Sequence, residues 1–125
     1  MVNDIFTQGE IDNTLKIVKS TIHNCEKIQL KLKKGSPSFS LLENRLKALH
    51  ISEDLLNNRN SDYSKDELEK AVVQITSIKN KSITGLKNAK EGTSTYTRFF
   101  RLINAMDIIL LYLHQAIEKI CTKTY

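Results

Sequence analysis

Phe6-Thr7-Gln8-Gly9-Glu10-Ile11 stands 57 residues ahead of Tyr63-Ser64-Lys65-Asp66-Glu67-Leu68, and both hexamers carry the marks of a helix start. Thr7 and Ser64 are suited to accept from the backbone amide three residues on. The Glu at that third position answers the N–H of the cap, and an aromatic and an aliphatic residue bracket the box as a staple. From these starts the inward positions run Ile11, Leu15, Val18, Ile22, Cys25, Gln29, Leu32, and 57 residues later Leu68, Val72, Ile75, Lys79, Ser82, Leu86, Ala89. Steps alternating between four and three residues predict two amphipathic helices.

The same shift lays Lys33-Lys34-Gly35-Ser36-Pro37-Ser38-Phe39-Ser40 on Lys90-Glu91-Gly92-Thr93-Ser94-Thr95-Tyr96-Thr97. Gly35 and Gly92 suit the left-handed residue that ends a helix. Ser36 before Pro37 predicts an N-cap with proline at the first helical position. Second helices follow, with Phe39, Leu42, Leu46, Leu49 and Leu56 answering Tyr96, Phe99, Ile103, Met106 and Leu113. Seven positions are identical across residues 5–56 and 62–113: Glu10, Ser20, Lys33, Gly35, Ala48, Ile51 and Leu56.

The expectation is an all-α chain with helices over 7–34, 37–58, 64–91 and 94–122, joined at mid-chain by the polar run Asn57 to Asp62. Short connections make sequence neighbours antiparallel. The expected fold is an up-down-up-down four-helix bundle of one domain over residues 1–125. It is built from two tandem helical hairpins, residues 5–58 and 62–123, as an internal repeat of offset 57.

Composition agrees with this reading. The chain has 125 residues, 40% of them hydrophobic, so a single core of ordinary size is within reach. Four Gly and one Pro are too few for a turn-rich sandwich or barrel or a phosphate-cradling loop, and two Cys form no disulfide framework. Asp4 interrupts the N-terminal stretch, so no signal peptide is expected. The longest apolar run, Ile108 to Leu113, falls short of the ~20 residues of a membrane span, so neither insertion nor a location outside the cytoplasm is expected. Lys, Ile and Asn number 15, 14 and 10, a bias that accompanies AT-rich bacterial or phage genomes.

The halves differ where the fold does not require it. Ile108 to Leu113 makes the fourth helix apolar nearly all round, against Ile51-Ser52-Glu53-Asp54-Leu55-Leu56 in the first half. Such a helix must be covered on several sides. Either it sits centrally in an off-square bundle, or Ile109, Leu110 and Tyr112 form a homodimer or partner interface. In the third helix Lys79 stands at an inward position, with Asp107 as its expected partner and Glu43 as second choice. Alternatively the helix rotates, bringing Ile78 and Ile83 inward and leaving Lys79 in solvent.

Charge is the other asymmetry. Residues 27–45 and 82–102, which flank the two glycines, carry nine Lys and Arg against two Glu, while the rest of the chain carries ten basic and twelve acidic residues. Lysines at the ends of the first and third helices are what the helix dipole favours, but Arg98 and Arg101 open the fourth helix, where cations are disfavoured. An anion or acidic-partner pole is therefore expected from Lys33, Lys34, Ser36, Lys90, Thr93, Arg98 and Arg101, using free helix N–H groups, hydroxyls and guanidinium groups. Nucleic acid is a weaker expectation, since the basic excess lacks any helix-turn-helix or RNA-binding pattern.

No catalytic, metal or cofactor constellation is expected. His23, His50 and His114 lie on three helices, and His50-Ile51-Ser52-Glu53 reverses the order used by carboxylate metal bundles. Cys25 and Cys121 are too far apart along the bundle to bond. In size, basic charge and helix count the chain is similar to bacteriocin immunity proteins, cytosolic bundles that protect a producer cell; the likeness is architectural and carries no residue across. The expected role is that of a small cytoplasmic interaction or regulatory protein, not an enzyme, with a nucleic-acid-associated regulator of bacterial or phage origin as the alternative.

Overall fold

Both expected capping boxes close. Thr7 Oγ1 accepts the Glu10 N–H at 3.1 Å while Glu10 Oε1 accepts the Thr7 N–H at 3.0 Å. Ser64 and Glu67 repeat the exchange at 3.1 and 3.0 Å. From these starts the computed structural model, which describes residues 6–59 and 62–123 with side chains through 121, forms α1 (Gln8–Gln29) and α3 (Lys65–Asn88). The second helix of each hairpin is α2 (Pro37–Leu56) or α4 (Ser94–Lys123), and no strand occurs among the described residues.

Three helix ends fall short of the sequence expectation. In α1 the last turn tightens, with the Lys31 and Leu32 N–H groups donating only three residues back, to Ile28 and Gln29. Four lysines crowd residues 27–34, and the chain must already turn toward Gly35. The third helix stops when Ala89 turns extended, at φ −88° and ψ 145°. Asn58, at φ 56°, ends α2 in the left-handed region that Asn tolerates.

The helices form an up-down-up-down four-helix bundle. Sequence neighbours pack together, with α3 and α4 the most extensive pair, and α1 closes more lightly on α4. Across the diagonal α2 meets α4, while α1 and α3 stay apart. The bundle is thus off square with α4 on its short diagonal, which is where its apolar circumference is used. Ala105, Met106, Ile109, Tyr112 and Leu113 are all buried, and they meet Leu49 and Leu56 of α2, Ile11, Val18, Ile22 and Cys25 of α1, and Leu68, Ala71, Ile75 and Ile78 of α3 in one core. Length and hydropathy over Ser94–Cys121 would also suit a membrane span, but these same residues supply that core face.

Buried hydroxyls are satisfied locally. Thr14, Ser52 and Ser82 each donate to the carbonyl four residues back at 2.8 Å, so none carries an unmade bond into the core. At the third-helix anomaly both expectations hold in part: Ile78 is buried, Ile83 half-buried, and Lys79 Nζ lies 2.6 Å from Asp107 Oδ1. Glu43 is exposed and is not that partner.

Gly85 explains why α3 and α4 approach so closely. A Cβ there would sit 2.5 Å from the Phe99 ring. Fifty-seven residues earlier the position is Ile28, which is 50% exposed on the less intimate α1 and α2 pair.

Candidate functional site

The two glycine turns share one end of the bundle. Asn24, near the end of α1, lines one cavity with Gly92, while at the other end the Phe6 ring stacks on Tyr112 with centroids 6.4 Å apart. Each turn has the same build. Gly35 and Gly92 adopt φ 88° and 86°, and the Ser36 and Thr93 N–H groups donate to the Lys33 and Lys90 carbonyls at 3.0 and 3.2 Å. The Ser36 and Thr93 hydroxyl oxygens then accept the Phe39 and Tyr96 N–H groups, both at 3.2 Å, to cap α2 and α4. With both turns at one end, their cations pool there.

Eight of the nine cations of this end are exposed. Lys27, Lys31, Lys33, Lys34, Lys87, Lys90, Arg98 and Arg101 form no ion pair among the described residues, whose pairs all lie elsewhere. Arg45 is different: it turns inward to donate to Ser77 Oγ at 3.2 Å, and its Nε is buried without a partner. Burial pushes the Cys25 thiol above its ordinary value, and the Arg45 charge opposes that rise.

Along the lightly packed α1 and α4 seam lie two cavities of about 670 and 440 Å³ that share Ile17 and Arg101 and so form one groove. Its floor is apolar, from Ile17, Leu102, Ala105 and Ile108. Ser20, Thr21, Asn24 and Thr97 add hydroxyl and amide groups; Arg98 stands in the cavity that Gly92 lines, and Arg101 at the junction of the two cavities. Arg98 is steadied by its guanidinium carbon lying 5.3 Å from the Phe99 ring centroid, a cation–π arrangement. Donors of this kind, beside an apolar floor, are suited to hold an anionic group on an otherwise apolar ligand.

The opposite seam, between α2 and α3, holds a smaller cavity of about 370 Å³. Each of its nine lining residues stands 57 positions from a residue lining the smaller α1 and α4 cavity. Glu67, Ala48 and Ile51 even repeat Glu10, Ala105 and Ile108 in kind, but Arg98 and Arg101 correspond to Leu41 and Asn44. The α2 and α3 seam has an arginine of its own, Arg45, but turns it inward onto Ser77; only in the α1 and α4 seam do arginines line the cavity.

The pole expected from sequence is therefore divided. Thr93, Arg98 and Arg101 come together in the seam, while Lys33, Lys34, Ser36 and Lys90 are at the turn tips and line none of it. Sequence reasoning missed the seam itself. The available signal was the helical stripe Ile17, Thr21, Asn24 facing the stripe Ser94, Arg98, Arg101, Ala105, Ile108, of which Ala105 alone is buried in the core.

The expected helix 4 interface needs correction. Ile109 is fully buried and Tyr112 is 7% exposed, so both belong to the core; burial also raises the Tyr112 hydroxyl above its usual range. Leu110 is half-buried, and the exposed residue of the stretch is Leu111. Among the described residues no group of three or more His, Cys, Asp or Glu is placed to hold a metal ion. No protein-family model, curated protein or solved structure matches the chain.

Proposed function

We propose that this chain is a binding protein whose basic end, with the α1 and α4 seam at its centre, receives the anionic surface of a partner. The observation that carries the reading is the pair Arg98 and Arg101: without an ion pair among the described residues, in the second and third turns of α4, beyond the reach of any favourable helix-end charge, and on the wall of an open groove. Helix-end electrostatics account for Lys27 and Lys87, in the last turns of α1 and α3, but not for these arginines. The same end also carries Ile28, Leu30, Leu41 and Phe100, four of the six large hydrophobic side chains exposed among the described residues. Apolar contact beside cations favours a protein partner over nucleic acid, whose phosphates reward the cations alone. The pairwise correspondence at 57 residues supports one hairpin copied in tandem, with the second copy specialised by its arginines.

Retention on a heparin column tests this reading. The wild-type chain should bind at low salt and elute as salt screens the contacts, and Arg98→Glu with Arg101→Glu should elute markedly earlier than Lys33→Glu with Lys34→Glu. Failure to bind at low salt, or equal elution of both variants, overturns it.

A further inference from the structure

We infer that the α1 and α4 seam seats an acidic amphipathic helix of a partner protein, laid lengthwise as a fifth helix of the bundle; this rests on the anionic-partner reading above. The α4 wall of the groove runs from Ser94 to Ile108, about 21 Å at the ~1.5 Å rise of a helix, which matches four turns of an occupant. Its recessed floor of Ile17, Leu102, Ala105 and Ile108 offers an apolar face what it needs, and α1 and α4 leave more room between them than α2 and α3 do. Arg98 and Arg101 lie one turn apart, so carboxylates spaced three or four residues on an adjacent helix meet both. Glu10 and Lys16 offset one another in the part of the groove farther from Gly92, so its unopposed positive charge, Arg98 and Arg101, gives the seat a direction, with the occupant's acids toward Gly92. A flat lipid surface does not reach a recessed floor, and a phosphate backbone gains nothing from one.

The test uses a fluorescein-labelled 15-residue helical peptide with one apolar face edged by Glu at i and i+4, against a shuffled peptide of the same composition. Anisotropy should show the amphipathic peptide binding at least about tenfold more tightly than the shuffled one. Asn24 is exposed and lines the groove, so Asn24→Trp fills it while leaving every cation in place. That variant should lose at least about tenfold in peptide affinity yet keep its heparin retention, whereas Arg98→Glu with Arg101→Glu should lose both. Thermal melts by circular dichroism establish that each variant is folded, and Thr97→Trp, at another exposed groove position, replaces any that is not. Equal binding of the two peptides, no binding of either, or peptide affinity indifferent to the tryptophan overturns the helix seat while the anionic reading stands. Loss of wild-type heparin retention overturns both.

Discussion

Gly85→Ala is the substitution for which helix propensity and tertiary packing give opposite answers. In the middle of a helix, alanine is better than glycine by about 1 kcal/mol. At residue 85 the added Cβ would lie 2.5, 2.6 and 2.8 Å from three carbons of the Phe99 ring. Those distances are about 1 Å inside the ~3.5 to 4.0 Å optimum for carbon pairs, and such overpacking costs about 1 to 3 kcal/mol. The net expectation is a loss of about 1 kcal/mol, or about 3 to 5 °C in Tm for a chain of this size. Phe99→Leu removes the ring and installs the residue type that Leu42 supplies at the corresponding place in the first hairpin. In that background Gly85→Ala should recover its helix-propensity gain, so the cycle of four proteins should show a coupling of about 1 to 3 kcal/mol. Circular dichroism melts and urea titrations measure it. A wild-type background stabilised by Gly85→Ala would refute the close approach of α3 and α4 and, with it, the placement of Arg98, which stacks on the same ring.

Other outcomes follow from burial and charge. Leu49→Ala, at a fully buried core position, should cost about 2 to 5 kcal/mol, whereas Leu111→Ala, at 48% exposure, should stay within about 0.5 kcal/mol in denaturant titration. Breaking the Lys79 and Asp107 pair with Asp107→Asn should cost no more than about 1 kcal/mol, because the two side chains remain 30% and 48% exposed, and 1 M salt should shrink the difference. The Ser64 backbone N–H holds the Glu67 carboxyl below its ordinary value. A depressed folded-state value means the stabilisation is present above the unfolded carboxyl's ~4.3 and is lost as pH falls through the folded value, so an acid titration of stability should be shallower in Glu67→Gln. A thiol reagent should modify exposed Cys121 in the native protein and reach buried Cys25 only on unfolding; equal rates at the two would contradict the α1 packing.

Much of the fold was legible because its signals are local. Thr7 with Glu10, Ser64 with Glu67, and Ser36 with Pro37 mark helix starts through hydrogen bonds spanning three residues, and Gly35 and Gly92 mark turns through their own φ. The four-and-three spacing placed Val18, Ile22, Leu49, Ile75, Met106 and Leu113 inside. Even Lys79 with Asp107 could be read from chain position, since the two lie at similar distances from Gly92 along antiparallel helices. The candidate site was half visible: the sequence names Thr93, Arg98 and Arg101, but it groups them with lysines that the structure keeps at the tips.

What the residues settled alone was where each helix starts, how the chain turns, and that both glycine bends carry their cations to the same end. Tertiary structure alone decided which neighbouring helices close tightly and which leave a groove, because that depends on pairs such as Gly85 and Phe99 meeting across helices distant from any local rule. It also turned Ile109 and Tyr112 inward and left Arg98 and Arg101 on the open seam. A helix apolar on nearly all sides does not say which side faces a neighbour; only the off-square packing that puts α4 on the short diagonal does.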